Sequence, residues 1–183
     1  MKNIYALLLT LTVVVSNAFA QTEEGVWMVG GNVNINTGEN ATTVELTPSA
    51  AFFVMRNLAI GGNITISFSK LGENKLTRFG VGPMTRWYFG KNNNVKPFAH
   101  GEFGIVSLKT ETASGSSTDN GIRYLLALGL AGFLNPNVAL EALAGYDHVK
   151  LSDFEGDGGF AFRLGFQVYL RPRQAVDQIK SGL

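Results

Sequence analysis

The chain has no cysteine, so it can carry neither a disulfide framework nor a lipid-modified cysteine behind a leader. Charge is scarce: Asp, Glu, Lys and Arg make up 16% of the 183 residues, against about a quarter in an ordinary soluble domain. Beyond Ala20 no apolar run approaches the ~18 residues that mark a membrane-spanning helix. Nor is there an excess of one sign. Setting aside Lys2 takes Lys plus Arg from 15 to 14, against 14 Asp plus Glu, and a neutral chain has no electrostatic footprint for nucleic acid. Histidine is limited to His100 and His148, which shortens any search for imidazole chemistry.

What is present begins with an export leader. Lys2 supplies a positive start, Ile4 to Val15 an apolar stretch, and Ala18-Phe19-Ala20 a small-x-small cleavage site before Gln21; residues 1–20 are expected to be removed as a signal peptide. The rest reads as one domain, 21–171, with a short tail at 172–183.

Within 21–171, eight segments alternate apolar and small or polar residues with period two, the signature of strands with two unlike faces. In Trp27–Asn36 the oily face is Trp27, Val29, Val33 and Ile35. In Thr43–Val54 it is Val44, Leu46, Pro48, Ala50, Phe52 and Val54, and in Leu58–Ser69 it is Leu58, Ile60, Ile64, Ile66 and Phe68. The fourth segment sets Phe79, Val81, Pro83, Thr85, Trp87 and Phe89 against Arg78, Gly80, Gly82, Met84, Arg86 and Tyr88. Val95–Thr110 is less regular, and Leu125-Leu126 blurs the parity of the sixth. The seventh opposes Val138, Leu140, Ala142, Ala144 and Tyr146 to Ala139, Glu141, Leu143, Gly145 and Asp147. The eighth, Phe160–Leu170, has six bulky apolar residues on one side, enough for a tilted strand to cross a bilayer.

Connections alternate as well. Met55–Asn57, Gly90–Asn94 and Asn135–Asn137 read as short turns. Asn36–Thr42, Lys70–Lys75, Glu111–Asn120 and His148–Gly158 read as mostly longer polar loops. This alternation fits an up-and-down barrel in an outer membrane, with periplasmic turns, longer extracellular loops and aromatic girdles. Trp27, Phe52, Trp87, Phe89 and Phe166 fall toward one end of the strands, and Phe68, Phe79, Tyr124, Tyr146 and Phe160 toward the other.

A soluble eight-stranded barrel alternates too, but with its oily face inward. Here the oily face is bulky, nearly uncharged and carries Pro48, Pro83 and Pro97, while the other holds Gly, Ala, Ser, Thr and Asn. An eight-stranded interior has room for small side chains and little more, and a water-facing sheet would carry more Lys and Glu. The oily face therefore points to lipid. The expected fold is an all-β, eight-stranded, antiparallel up-and-down transmembrane β-barrel.

The inward face also gathers Glu45, Arg78, Arg86, His100, Glu102, Arg123, Glu141 and Arg163. Isolated charges in a narrow lumen cost several kcal/mol or more, so these are expected to pair as a structural plug. A selective pore or proton path is the alternative, disfavoured because eight strands leave no aqueous channel by default.

Three stretches resemble a known family: Lys96-Pro97-Phe98-Ala99, the Phe133–Glu141 hairpin and the closing Phe162–Leu170 strand. On them the chain, over roughly residues 25 to 171, is similar to the OmpA/OmpX-type eight-stranded outer-membrane barrels, and to their small OmpX-like members in particular. The resemblance implies an outer-membrane location, contact with outer-membrane lipid and lipopolysaccharide, and insertion by the barrel-assembly machinery. It also implies loops available to an extracellular surface partner. Such barrels usually end on an aromatic residue, whereas this chain runs on through Arg171-Pro172-Arg173 to Leu183, expected as a periplasmic tail.

No catalytic set, cofactor site or metal site is expected. His100 shares a face with Glu102 but is offered no nucleophile, so a lumen hydrogen-bond role is expected of it. His148 adjoins Asp147, but strand neighbours point to opposite faces. Asp153, Glu155 and Asp157 lack the full Ca²⁺-loop pattern and read as a solvated acidic loop. The expected role is envelope integrity or surface interaction, with a lipid-modifying or proteolytic enzyme, or a narrow pore, as the alternatives.

Overall fold

The computed structural model describes residues 22–37, 41–72, 74–90, 94–112, 115–152 and 156–171. The expected signal peptide, the tail at 172–183, and Asp153 and Glu155 lie outside these. Eight strands follow in chain order: β1 (Trp27–Thr37), β2 (Ala41–Met55), β3 (Leu58–Leu71), β4 (Asn74–Tyr88), β5 (Val95–Thr112), β6 (Gly115–Asn135), β7 (Val138–Leu151) and β8 (Asp157–Leu170). Each pairs antiparallel with its sequence neighbour, and β1 pairs with β8 to close the barrel. This is an all-β, up-and-down transmembrane barrel.

The parity read from the sequence holds on every strand. Trp27, Ile64, Trp87, Phe103, Leu128 and Phe162 are exposed on the outside, while Met28, Phe53, Ala59, Met84 and Tyr88 are buried inside. The uncertain Leu125-Leu126 pair resolves cleanly: Leu125 is fully buried and Leu126 is 66% exposed. Both aromatic rings face outward, and their members touch, with Trp27 and Phe52 at 5.3 Å, Trp87 and Phe89 at 5.8 Å and Tyr146 and Phe160 at 6.3 Å.

Proline shapes the wall from outside. The β2–β3 ladder lapses between Leu46↔Ile66 and Ser49↔Asn63, around Pro48. The β4–β5 ladder lapses between Val81↔Ile105 and Met84↔Glu102, around Pro83. A proline has no N–H to donate, so each ladder opens where it sits.

The long polar loops are where the structure departs from expectation. Pairing runs on to Leu71↔Asn74, Thr112↔Gly115 and Val149↔Asp157, so much of what read as loop at 70–75, 111–120 and 148–158 is strand. The β5–β6 ladder carries eighteen residue pairs against seven at the β1–β8 seam. Beyond the bilayer both faces of a ribbon meet water, so the alternation that identifies a half-buried strand disappears while the hydrogen-bond ladder continues.

At the opposite, short-turn end, connections are tight. Asn57 takes a positive φ of 68°, a conformation Asn tolerates better than most residues, in the Arg56-Asn57 turn. Asn135 Oδ1 accepts the Asn137 amide at 2.9 Å across Pro136. Residues 22–26 fold against this end: Gly25 N–H donates to Phe53 O, and Asn57 N–H to Thr22 O. Thr22 is buried, and its hydroxyl accepts from Lys96 Nζ at 2.8 Å.

Candidate functional site

The lumen is built in layers because parity sends one residue in two inward and the registers align them. The layer nearest the short turns is aromatic. Phe53, Tyr88, Phe98, Phe133 and Tyr169 make a chain of ring contacts 5.1–6.2 Å between centroids, with Met28, Ala59, Ala131 and Ala139 filling between them. Gly129 makes room for this floor. A Cβ there would lie 2.3 Å from Phe98 Cζ.

Above the floor lies the first buried ion pair. Arg86 Nη1 donates to Glu141 Oε2 at 2.6 Å, both side chains being fully buried. The tyrosine hydroxyls of Tyr88 and Tyr169 each donate to Glu141 Oε1 at 3.2 Å. The Arg86 guanidinium also rests 4.5 Å over the Phe98 ring, a cation–π contact in a dry setting. Its Nε–H donates to His100 Nδ1 at 3.4 Å. With Nδ1 accepting, Nε2 carries the proton and donates to Glu102 Oε1 at 2.8 Å.

His100 and Glu102 lead into a second cluster. Arg163 Nη1 reaches Glu102 Oε2 at 3.3 Å, and its Nη2 reaches Glu45 and Asp147, each at 3.0 Å. Arg123 grips Asp147 with Nε and Nη2, the fork-to-carboxylate geometry that guanidinium favours. The same Nη2 meets Glu45 Oε1 at 3.0 Å, and Nη1 donates to Thr65 at 3.1 Å. The sequence of contacts is Glu141, Arg86, His100, Glu102, Arg163, then Glu45 with Asp147, then Arg123. It ties β2, β4, β5, β6, β7 and β8 together across the lumen, and β3 joins through Thr65.

The structure thus joins seven of the eight lumen residues singled out from sequence and leaves one aside. Arg78 faces inward at the long-hairpin end, half-buried, but enters none of these ion pairs, and its Nε has no hydrogen-bond partner. Glu45 and Asp147 are instead taken by Arg123 from β6 and Arg163 from β8. The sequence does not single out Asp147: its parity faces it inward, but nothing in the pattern shows that Arg123 and Arg163 meet it. With it the two clusters and Arg78 bring together, among the described residues, four carboxylates (Glu45, Glu102, Glu141 and Asp147) and four arginines (Arg78, Arg86, Arg123 and Arg163), while the inward Lys96 bonds Thr22 at the short-turn end.

Further inward polar groups of β1, β2, β3 and β8 lie outside this network. Asn32 Oδ1, Thr47 Oγ1, Ser49 Oγ, Asn63 Nδ2 and both amide atoms of Gln167 are buried without a protein partner, and atoms of that kind are ordinarily satisfied by water. Beside them, a cavity lined by Asn63, Thr65, Gly80, Glu102 and Arg123 measures about 10 Å³, roughly one water-sized sphere.

The neighbouring solved structures share this architecture. Neisserial surface protein A superposes with a TM-score of 0.61 at 17% identity, covering 78% of this chain and 94% of that one. The N-terminal β-barrel domain of OprF from Pseudomonas aeruginosa gives 0.52 at 12% identity, covering 81% and 98%. Ail, the attachment invasion locus protein of Yersinia pestis, gives 0.50 at 16%, covering 80% and 99%. The fold is that of the OmpA/OmpX-type outer-membrane barrels. No protein-family model matches the chain, and no curated protein sequence is similar to it.

On the outside of this barrel, His148 stacks against Tyr124 at 5.0 Å and Tyr146 at 6.3 Å, while Asp147 turns inward to the arginines. The two residues therefore share no hydrogen-bonding site. Among the described residues, no group of three or more metal-binding side chains comes together.

Proposed function

We propose that the protein is a non-enzymatic barrel of the outer membrane whose lumen is closed to ions, serving envelope integrity and presenting its paired hairpins at the surface. The observation that carries this reading is the Arg163 hub. One fully buried guanidinium engages carboxylates from β2, β5 and β7, so the middle of the lumen is occupied by a cross-link rather than by a path. The aromatic floor beneath it is a second barrier. The leader-like pattern expected at residues 1–20 and two rings of outward aromatics support the location.

Fractionation tests the location. The chain should appear in detergent-extracted outer membrane and migrate faster on gels before boiling than after it. Planar-bilayer recording tests the closure: the wild-type barrel should show no stable single-channel steps. Steady conductance altered by Glu102→Gln would overturn the closed-lumen reading in favour of a narrow pore. A surface-binding role is supported by the long β5–β6 hairpin and by the attachment function in the name of one structural neighbour.

A further inference from the structure

A β-strand needs partners along both edges, and inside hydrocarbon an unpaired backbone N–H or C=O finds no water to replace them. The widest lapse in the pairing of this wall is at the seam. There β1 and β8 pair from Trp27↔Leu170 only as far as Val33↔Leu164. Both strands run on past that point. β1 stays on β2 to Thr37↔Thr42, and β8 stays on β7 back to Val149↔Asp157. The facing edges of residues 34–37 and 160–163 therefore carry no ladder between them. Phe160, 93% exposed, belongs to the outer aromatic ring, and residues 161–163 follow it toward the bilayer. The free β6 edge at residues 115–119 differs. β7 joins β6 only from Gly121↔Leu151, but those residues stand beyond the ring, where water satisfies the backbone.

The chemistry of the two edges decides what covers them. A lipid chain has no donors or acceptors to offer a backbone. A single inserted strand would run antiparallel to one edge and parallel to the other, because β1 and β8 point in opposite directions. A second copy of this chain supplies both edges at once. The bilayer gives every copy the same orientation, so β1 of one copy lies antiparallel to β8 of its partner about a two-fold axis along the membrane normal. Such a contact is self-complementary, each edge serving the other's need. Continuing the register of the seam places Ile35 opposite the partner's Phe162, and both side chains are exposed on the lipid face.

We propose that residues 34–37 and 160–163 pair with the β8 and β1 edges of a second copy, forming a two-fold dimer in the plane of the membrane. This rests on the outer-membrane reading above, which gives all copies one orientation. The chain has no native cysteine, so introduced cysteines report the contact without background. An Ile35→Cys chain and a size-tagged Phe162→Cys chain, refolded together into phospholipid vesicles and oxidised, should form a mixed disulfide dimer, because directly opposed strand residues lie within disulfide reach. Ile35→Cys mixed with Phe103→Cys, exposed on the lipid face of β5, should not. Heat-modifiable migration verifies that each variant is folded. Absence of the mixed dimer among folded chains would overturn the proposal, as would a mixed dimer no more abundant than the Phe103 control. A chain carrying both cysteines that closes only on itself would show the seam zipping within one barrel, and would overturn it too. Failure of the outer-membrane reading would show instead in fractionation, with the wild-type chain recovered as a soluble protein.

Discussion

Glu141 and Glu102 are the same side chain in the same lumen, yet their removal should have different consequences. Glu141 is the carboxylate paired with Arg86, and both are fully buried. Glu141→Gln leaves that guanidinium among neutral phenols and a thioether, and should destabilise the barrel by about 3–5 kcal/mol. Arg163 has three carboxylates. Glu102→Gln leaves it Glu45 and Asp147, so the loss should fall below that range. Arg78, outside the ion pairs, should accept glutamine within ~0.5 kcal/mol. Urea unfolding of refolded variants, followed by Trp27 and Trp87 fluorescence, checks the order. Equal losses at Glu141 and Glu102 would mean that the two clusters share charge more evenly than their geometry implies.

At the scale of the strand, the two faces make opposite demands. Ile64 points to lipid from the middle of β3, so Ile64→Arg should cost about 2–4 kcal/mol. Thr65→Ser, one residue on, keeps the hydroxyl that accepts from Arg123 and should be tolerated. Gel migration before and after boiling reports both. Period-two alternation made these faces legible because each strand separates lipid from a crowded lumen, and the inward parity of Glu45, Arg86, Glu102, Arg123, Glu141 and Arg163 followed directly. Partners were less legible. Parity says which side chains enter the lumen, not which strands face each other across it, so Asp147 could be placed inside without being matched to Arg123 and Arg163. The seating of Thr22 against Asn57 and Lys96 escaped for a related reason: residues 22–26 carry no alternation. The outer ribbons escaped because exposed strands have no oily face. Since those ribbons bury little, excising residues 109–118 from the β5–β6 hairpin and rejoining the strands with a tight turn should leave the barrel's heat-modifiable migration unchanged.

For the molecule as a whole, the closed-lumen proposal places two barriers in series along one axis. The first is the aromatic floor at the short-turn end, the second the arginine–carboxylate ladder above it. Barriers in series need not fail together. Phe53 packs against both Tyr88 and Tyr169, so Phe53→Ala opens the floor at its centre, at a stability cost of about 3–5 kcal/mol. The Arg163 hub still spans the lumen above, and that variant should remain non-conducting in planar bilayers. Arg163→Ala alone releases Glu45, Glu102 and Asp147 from their shared partner and lets water reach them, but the floor stays dry and that variant should be silent as well. Conductance is expected only when both are removed, and it should then favour cations, because loss of one arginine leaves the carboxylates of this cluster in excess over the guanidiniums that still hold them. A single Phe53→Ala substitution that conducts would show the ladder to be permeable, leaving the floor as the only seal. Silence of the folded double variant would show that the barrel closes without either.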